Sequence, residues 1–178
     1  LLFQAARKRI KIGDVVPINF ILDKLQGWGK EWNERDISMF MYGMRALKGV
    51  GKEEGELLKF AATKISESKD VMNGRAIGNA LYGFQDITSA TDGVPELCDA
   101  FAEKLKASNG DMSGQDIGIA MYGLQGMRAE KVEVRKLILA LSELIAASEV
   151  DFDAQAMSNS LYGLQSMSSE HSEVCSLI

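Results

Sequence analysis

Residues 152–167 read Phe-Asp-Ala-Gln-Ala-Met-Ser-Asn-Ser-Leu-Tyr-Gly-Leu-Gln-Ser-Met, and the chain repeats the form of this stretch. Its Tyr-Gly pair recurs at a constant spacing of 40 residues, as Tyr42-Gly43, Tyr82-Gly83, Tyr122-Gly123 and Tyr162-Gly163. A fixed internal period of this length is typical of proteins built from stacked repeats. The sequence is therefore best read as a series of copies of one unit.

Each copy opens with two signals for the start of a helix. The first is a residue whose side-chain oxygen can accept the free amide hydrogens of the first helical turn. These residues are Asn33, Asn73, Ser113 and Asp153. The second is a large apolar residue before the cap and another five positions later, which predicts a hydrophobic staple. The pairs are Trp32 with Ile37, Met72 with Ile77, Met112 with Ile117, and Phe152 with Met157.

Two apolar periodicities in each unit predict a pair of helices. After the cap, apolar residues fall on one helical face, at positions 37, 41, 44 and 47 in the first copy. A short polar or glycine-containing break follows, such as residues 48–52 or 128–131. A second apolar run then begins, and its clearest example is Val134, Leu137, Ile138, Leu141, Leu144 and Ile145. Each unit is therefore helix A, loop, helix B, and residues 15–26 fit helix B of an earlier unit.

Stacking of these hairpins predicts the fold. One hairpin cannot bury its apolar stripe alone, but neighbouring hairpins can cover it. We predict an all-α fold, an α-solenoid of stacked antiparallel helical hairpins (an α-α superhelix). The predicted boundaries are 1–31 for the end of a preceding repeat, 32–71, 72–111 and 112–151 for three repeats, and 152–178 for a partial fourth. Because the chain begins without Met and stops within an apolar run, we interpret it as a fragment of a longer, continuous solenoid.

The recurring Tyr-Gly pair predicts how neighbouring units meet. A glycine inside a helix costs about 1 kcal/mol relative to alanine, so its presence in every copy calls for a reason. We predict that the notch at Gly83, beside Ala80, receives a large side chain from an adjacent helix A, with the neighbour's tyrosine as the candidate. Tyr42, Tyr82, Tyr122 and Tyr162, with Gly43, Gly83, Gly123 and Gly163, are then inter-repeat structural residues. A role for the tyrosines in stacking on a ligand is the alternative.

Composition and residue types give no indication of catalysis. No apolar run approaches the roughly 20 residues of a membrane span, so no membrane insertion is predicted. Cys98 and Cys175 are far apart and lack ligand spacing, which indicates neither a disulfide nor zinc. His171 is the sole histidine, and Gly49-Val50-Gly51-Lys52 lacks the following Ser or Thr of a phosphate loop. We predict no enzyme, no catalytic residue, no metal and no cofactor.

Charge is distributed unevenly along the chain. The net charge is −5, yet residues 1–30 carry six basic and two acidic side chains, whereas residues 150–178 carry four acidic and no Lys or Arg. An attraction for phosphate is therefore expected only towards the beginning of the chain. Residues 1–11 are basic without an acid, which suits either a transit peptide or part of a preceding helix, and we favour the helix.

The stretch 152–167 resembles octotricopeptide repeats, whose helix A has roughly the form F-x-x-Q-x-L-[AS]-N-x-L-W-[AG]-L-x-x-[LM]. The matching residues are Phe152, Gln155, Ser158, Asn159, Leu161, Leu164 and Met167, with Tyr162 where the family usually has Trp. The third unit has Ile119 in place of Asn, and the proline-rich start of the family's helix B is absent. The resemblance spans residues 32–178. It implies an α-solenoid that binds single-stranded RNA and acts in a plastid or mitochondrion on transcript stability, processing or translation.

A ligand is expected on the side of helix A that faces away from the core, at the positions equivalent to 35, 39 and 46. In successive units these are Arg35, Met39 and Ala46; Arg75, Asn79 and Asp86; Gln115, Ile119 and Gly126; and Gln155, Asn159 and Ser166. Side chains that vary over a constant frame suit a protein that reads about one base per repeat. The candidate ligand residues are thus Arg35, Met39, Arg75, Asn79, Gln115, Ile119, Gln155 and Asn159. Random drift of exposed residues would give the same variation.

Two functions remain open. The first is a non-catalytic module that binds single-stranded RNA. The second is a protein–protein scaffold or accessory subunit of a large organellar complex, because helical solenoids do both and a fold does not decide a function. Neither the RNA target nor the partner follows from the residues.

Overall fold

The computed structural model describes residues 1–11, 16–27, 29–47, 52–108, 111–148 and 150–177. Within these ranges the chain is helical and has no strand. The A helices are α1 (Leu2–Arg7), α3 (Glu34–Met44), α5 (Gly74–Tyr82), α7 (Gly114–Gly123) and α9 (Ala154–Gly163). The B helices are α2 (Ile18–Gln26), α4 (Lys52–Glu67), α6 (Val94–Lys106), α8 (Val132–Ala146) and α10 (Ser172–Cys175). Residues 48–51, which include the Gly49-Val50-Gly51 segment, and Val15 lie outside the described residues.

The helices form two layers with one-dimensional order. Each A helix packs on the next A helix, from α1 through α3, α5 and α7 to α9, and each B helix packs on the next B helix, from α2 to α10. Neighbouring units therefore cover one another, which is how repeat proteins build a continuous core. The predicted all-α solenoid is confirmed.

The helix starts lie where the caps predict. The backbone amide of Asp36 donates to Asn33 Oδ1 at 2.9 Å, and that of Ala76 donates to Asn73 Oδ1 at 2.9 Å. The amide of Asp116 donates to the hydroxyl of Ser113 at 3.2 Å. Asp153 caps α9 in the same way, at 2.7 Å from the amide of Ala156. Each cap satisfies one of the amides that a helix leaves unpaired at its first turn.

The staple residues are buried in the first three copies and exposed in the fourth. Trp32, Met72 and Met112 are all buried, as are Ile37, Ile77 and Ile117. In the fourth copy, however, Phe152 is 38% exposed and Met157 is 49% exposed. In the part of the chain that the structure describes, no unit lies against the outer face of α9, and these side chains remain in contact with solvent.

The core is one continuous cluster that runs along the stack. The predicted inward face of helix B supplies much of it, since Leu137, Ile138 and Leu141 of α8 are fully buried. Cys98 occupies the position of Ile138 one unit earlier and is also fully buried. Burial raises the pKa of its thiol to about 12, so Cys98 stays a neutral, small apolar side chain.

The A helices end in a tighter turn than the sequence predicts. The α-helical part stops at Met44, Tyr82 and Gly123, and 3-10 helices follow at Arg45–Leu47, Gly83–Asp86 and Leu124–Gly126. The glycine thus stands at the junction of two helix types rather than in the middle of an α-helix. Such turns are common at helix ends, and they advance about 120° per residue instead of 100°.

The first helix of the chain, α1, occupies the position of an A helix that precedes α3. α1 packs on α3 as α3 packs on α5, and Leu2 lies against Gly43. α2 packs on α4 in the other layer. Residues 1–27 therefore contribute a hairpin in the position of a unit before the first full repeat.

Candidate binding groove along the A helices

The A helices bring four tyrosines into one row, which we call the tyrosine row: Tyr42, Tyr82, Tyr122 and Tyr162. The ring centroids of Tyr42 and Tyr82 are 5.8 Å apart, those of Tyr82 and Tyr122 are 5.9 Å apart, and those of Tyr122 and Tyr162 are 5.2 Å apart. The first two pairs are tilted by about 45°, and the last pair is stacked, with 17° between the ring planes. Phe3 of α1 continues the row, 5.3 Å from Tyr42. Aromatic pairs at these distances attract one another beyond the apolar area that they bury.

The glycine after each tyrosine lets the A helices approach closely. A Cβ atom on Gly83 would collide with the carbonyl group of Met41, and one on Gly123 would collide with that of Leu81. The prediction that the Gly83 notch receives the neighbour's tyrosine side chain is therefore wrong. The notch receives backbone, and the tyrosines contact one another beside it. The helices come closer together than a side chain in the notch would permit.

A groove runs beside the row, and four of the predicted ligand residues line it. The groove has a volume of about 410 Å³ and is lined by Tyr42, Tyr82, Tyr122, Asn79, Ile119, Gln155 and Asn159. We call it the tyrosine groove. Asn79, Ile119 and Asn159 occupy the same position in successive units, and Gln155 lies one helical turn before Asn159. The residues that vary between units thus share one surface with the tyrosines that do not.

The other predicted ligand residues lie elsewhere. Arg35, Arg75 and Gln115 are exposed on the A helices but do not line the tyrosine groove. Met39 lines a separate apolar cavity of about 350 Å³, which α1, α2 and α3 form around Phe3, Phe20 and Trp32. The predicted residues therefore lie on more than one surface: four of them line the tyrosine groove, three lie outside it and Met39 lines a separate cavity.

The position equivalent to 46 is not exposed in every unit, as the prediction required. Ala46 is 3% exposed and belongs to the core, and Asp86 and Gly126 are half-buried. Ser166, in the last unit, is exposed. The prediction assumed 100° per residue, but this position follows the change to a 3-10 turn, which rotates it inward.

Arg45 is part of this surface, although the helix pattern did not select it. Its guanidinium carbon lies 5.0 Å from the ring centroid of Tyr42 and 4.2 Å from that of Tyr82. A cation over a ring face is attracted by the electrons of that face, and arginine is especially suited to this geometry. The equivalent residues in later units are Gln85, Gln125 and Gln165. The spacing of three residues from each tyrosine is the signal that could have found this position.

The electrostatics of the row keep its second tyrosine neutral. Burial raises the pKa of Tyr82, and the nearby charge of Arg45 opposes that rise only in part. The hydroxyl of Tyr82 therefore stays protonated at neutral pH and can both donate and accept a hydrogen bond.

The described residues outside the groove show no arrangement for metal chemistry. Among them, no three His, Cys, Asp or Glu side chains come together as a metal ion would require. His171 stands at the N-cap of α10, and Cys175 is exposed nearby. None of the described helices combines the length and the apolar character needed to cross a membrane.

Comparison of the chain with protein-family models, with curated proteins and with solved structures finds no match.

Proposed function

We propose that this chain is a non-catalytic helical-repeat module that binds single-stranded RNA along the tyrosine groove. The proposal depends on one observation: the side chains that differ between units and the tyrosines common to all units line the same groove. Its resemblance to octotricopeptide repeats leads us to propose further that it acts in a plastid or mitochondrion, on transcript stability, processing or translation.

The side chains of the groove suit contact with bases. Each amide of Asn79, Gln155 and Asn159 offers both a donor and an acceptor, as the edge of a base does. Ile119 offers only apolar contact at the equivalent place. Proteins that read RNA by helical repeats use two or three side chains per repeat to choose a base. The tyrosines contact one another, so a base would meet the exposed side of the row instead of inserting between two rings.

The charge distribution supports binding that is strongest near the beginning of the chain. Arg35 and Arg75 are exposed on the A helices of the first two units, where the third and fourth units have Gln115 and Gln155. RNA affinity depends strongly on cations that neutralise phosphates. We therefore propose that the first two units supply most of the affinity and that the later units contribute mainly base contacts.

The test measures the binding of fluorescent homopolymeric RNA oligonucleotides by fluorescence anisotropy at several salt concentrations. We expect affinity that falls as salt rises, and further loss on the change Asn79→Ala in the groove. Ser66→Ala is the matched control, since Ser66 is exposed on α4 in the other layer. Absence of binding, or binding that does not respond to salt and weakens equally in both variants, would refute the proposal.

A protein partner is the second candidate, and the charge of the last unit favours it. Residues 150–178 carry four acidic side chains and no Lys or Arg, which does not suit contact with phosphates. Under this alternative, purification would yield a stoichiometric protein complex that resists ribonuclease.

A further inference from the structure

Arg45 is held in place on two sides but has an unused hydrogen-bond donor. Its guanidinium lies over the rings of Tyr42 and Tyr82, which fixes its position between the first and second full units. Its Nε atom is buried and has no hydrogen-bond partner. This unpaired donor is a cost to the fold, and because the atom is out of reach of solvent, a ligand would meet the terminal nitrogens of the guanidinium instead.

Arg9 lies in a backbone conformation that usually belongs to glycine. Its φ is +55°, and it is the only residue other than glycine with a positive φ among the described residues. It follows the end of α1, where the amide of Arg9 donates to the carbonyl oxygen of Ala6 and that of Ile10 donates to the carbonyl oxygen of Ala5. This pair of hydrogen bonds is the Schellman motif, and its left-handed residue is most often glycine. An arginine at this position therefore fits the backbone less well than a glycine would.

Both arginines line the same small cavity. The cavity has a volume of about 170 Å³, and its charged lining consists of Arg9, Lys11, Arg45 and Asp86. The lining thus contains three cationic side chains and one carboxylate. The cavity therefore carries an excess of positive charge, although the net charge of the whole chain is −5. The charge of Arg9 also reaches the tyrosine row, since it lowers the pKa of Tyr82, although less than Arg45 does.

We propose that this cavity binds a phosphate group, namely a backbone phosphate of the RNA strand where it enters the tyrosine groove. The inference rests on the proposed function and adds to it the point at which the strand is anchored. Guanidinium groups present several N–H donors in a plane and match the oxygens of a phosphate in pairs. The excess of cations around the cavity selects an anion. Arg45 lines the cavity and lies over two rings of the row, so a phosphate bound in the cavity would lie next to the tyrosine row.

Among the full units, only the first has an arginine at this position. Later units have Gln85, Gln125 and Gln165 in the place of Arg45. Glutamine can donate a hydrogen bond but carries no charge. The phosphate site therefore fixes where along the stack the strand begins, while the equivalent positions of later units do not compete for the phosphate.

The repeat itself supplies the test variants. Arg45→Gln installs the residue that the other units carry, and Arg9→Gly installs the residue that the Schellman motif prefers, so both variants are expected to fold. Lys69→Gln, an exposed position before the second unit, is the control for loss of one charge. Circular dichroism melting establishes that all three variants are folded. The probes are a labelled oligouridylate and inorganic tripolyphosphate, the second measured by calorimetry at low salt.

We expect oligouridylate affinity to fall about tenfold in Arg45→Gln, as for loss of a hydrogen bond to a charged group, and less in Lys69→Gln. The slope of log affinity against log salt is expected to fall by about 0.7 for the lost phosphate contact. Tripolyphosphate is expected to bind the unmodified chain and to lose affinity in Arg45→Gln and Arg9→Gly.

The two proposals fail in different ways. If RNA binds and both arginine variants behave like Lys69→Gln, the phosphate site is wrong and the RNA proposal stands. If RNA does not bind but tripolyphosphate does, with loss in both arginine variants, the cavity is a phosphate site and the RNA proposal is wrong. If neither probe binds, both proposals are overturned.

Discussion

The backbone carbonyl of Met41 occupies the space into which a Cβ atom on Gly83 would project. Gly123 has the same relationship to Leu81, and Gly163 has it to Met121. Close approach of backbone to backbone, rather than insertion of a side chain, sets the spacing of the A helices. The tyrosine row follows from this spacing, because rings that stand one residue before the glycines are brought to 5–6 Å from one another.

Alanine in place of one of these glycines should force two units apart. We expect Gly83→Ala to lower the free energy of unfolding by about 1–3 kcal/mol or more, as overpacking does. Urea denaturation followed by circular dichroism measures the change. Gly27→Ala is the control, because a Cβ atom added at this position would have as its nearest neighbour a carbonyl oxygen of its own helix, at 3.3 Å. Equal effects in both variants would contradict the close-approach account.

Equivalent leucines in different units should differ sharply in their contribution to stability. Leu81 is fully buried between α5 and its neighbours, and Leu161 is 61% exposed. We expect Leu81→Ala to cost about 2–5 kcal/mol, as for a buried leucine, and Leu161→Ala to cost less than about 0.5 kcal/mol. If the two variants lost similar free energies of unfolding in urea denaturation, the outer face of α9 would have to be covered in solution.

The tyrosine row should stabilise the stack through its rings and not its hydroxyls. Tyr82 contacts rings on both sides, at 5.8 Å and 5.9 Å. We expect Tyr82→Ala to cost about 1–3 kcal/mol and Tyr82→Phe to stay within about 0.5 kcal/mol of the unmodified chain. Thermal melting compares the two, and a loss as large for phenylalanine as for alanine would assign the stabilisation to the hydroxyl.

Glu54 should make stability depend on pH. It is 8% exposed in the first turn of α4, and burial, together with the charge of Asp86, raises the pKa of its carboxyl. A pKa that is higher in the folded state favours the protonated form there. The protonated carboxyl therefore contributes to the free energy of unfolding below pH 4.5, and this contribution is lost as pH rises through the folded pKa.

We therefore expect Glu54→Gln to be more stable than the unmodified chain at pH 7, with the difference vanishing below about pH 4.5, where the carboxyl is neutral in both states. The position at the start of a helix opposes this effect, because a negative charge there is stabilised by the helix dipole. Unfolding in urea at several pH values measures the difference, and a variant that is less stable at pH 7 would show that the dipole outweighs burial.

The variable position of the groove should control base preference without affecting stability. Ile119 stands where the second and fourth units have Asn79 and Asn159. If the groove reads bases, Ile119→Asn should change the order in which the four homopolymers bind, by about fivefold for one added hydrogen bond. Anisotropy titrations give the order. Ile119→Val serves as the control, and an unchanged order in both variants would mean that this position does not read a base.

The hairpins could be predicted from the sequence because their signals are local. Caps such as Asn33 and Ser113 and the apolar face of α8 act within one helix, and a few residues suffice to recognise them. The repetition of these signals at a period of 40 residues then implied stacking. Cys98 could be assigned to the core for the same reason, since its equivalent in the next unit is Ile138.

The features that could not be predicted depend on how two units meet. Nothing within one helix indicates that Gly83 faces a backbone carbonyl rather than a side chain. The 3-10 turn after the glycine moved Ala46 into the core, and its rotation is invisible to a pattern that assumes a uniform helix. Arg45 lies against the tyrosine row because two tyrosines from different units lie beneath it, and neither sequence position alone reveals that contact.

The carbonyl-to-glycine contact also means that one unit can be duplicated or exchanged for another without changing how neighbouring units pack. Because α3, α5, α7 and α9 meet one another through the same pair of backbone positions, a duplicated copy of residues 72–111 would find the partner it needs on both sides. Such a duplication lengthens the molecule by one step and adds one tyrosine to the row. If the groove binds RNA as proposed, each added unit would lengthen the bound strand by one fixed step.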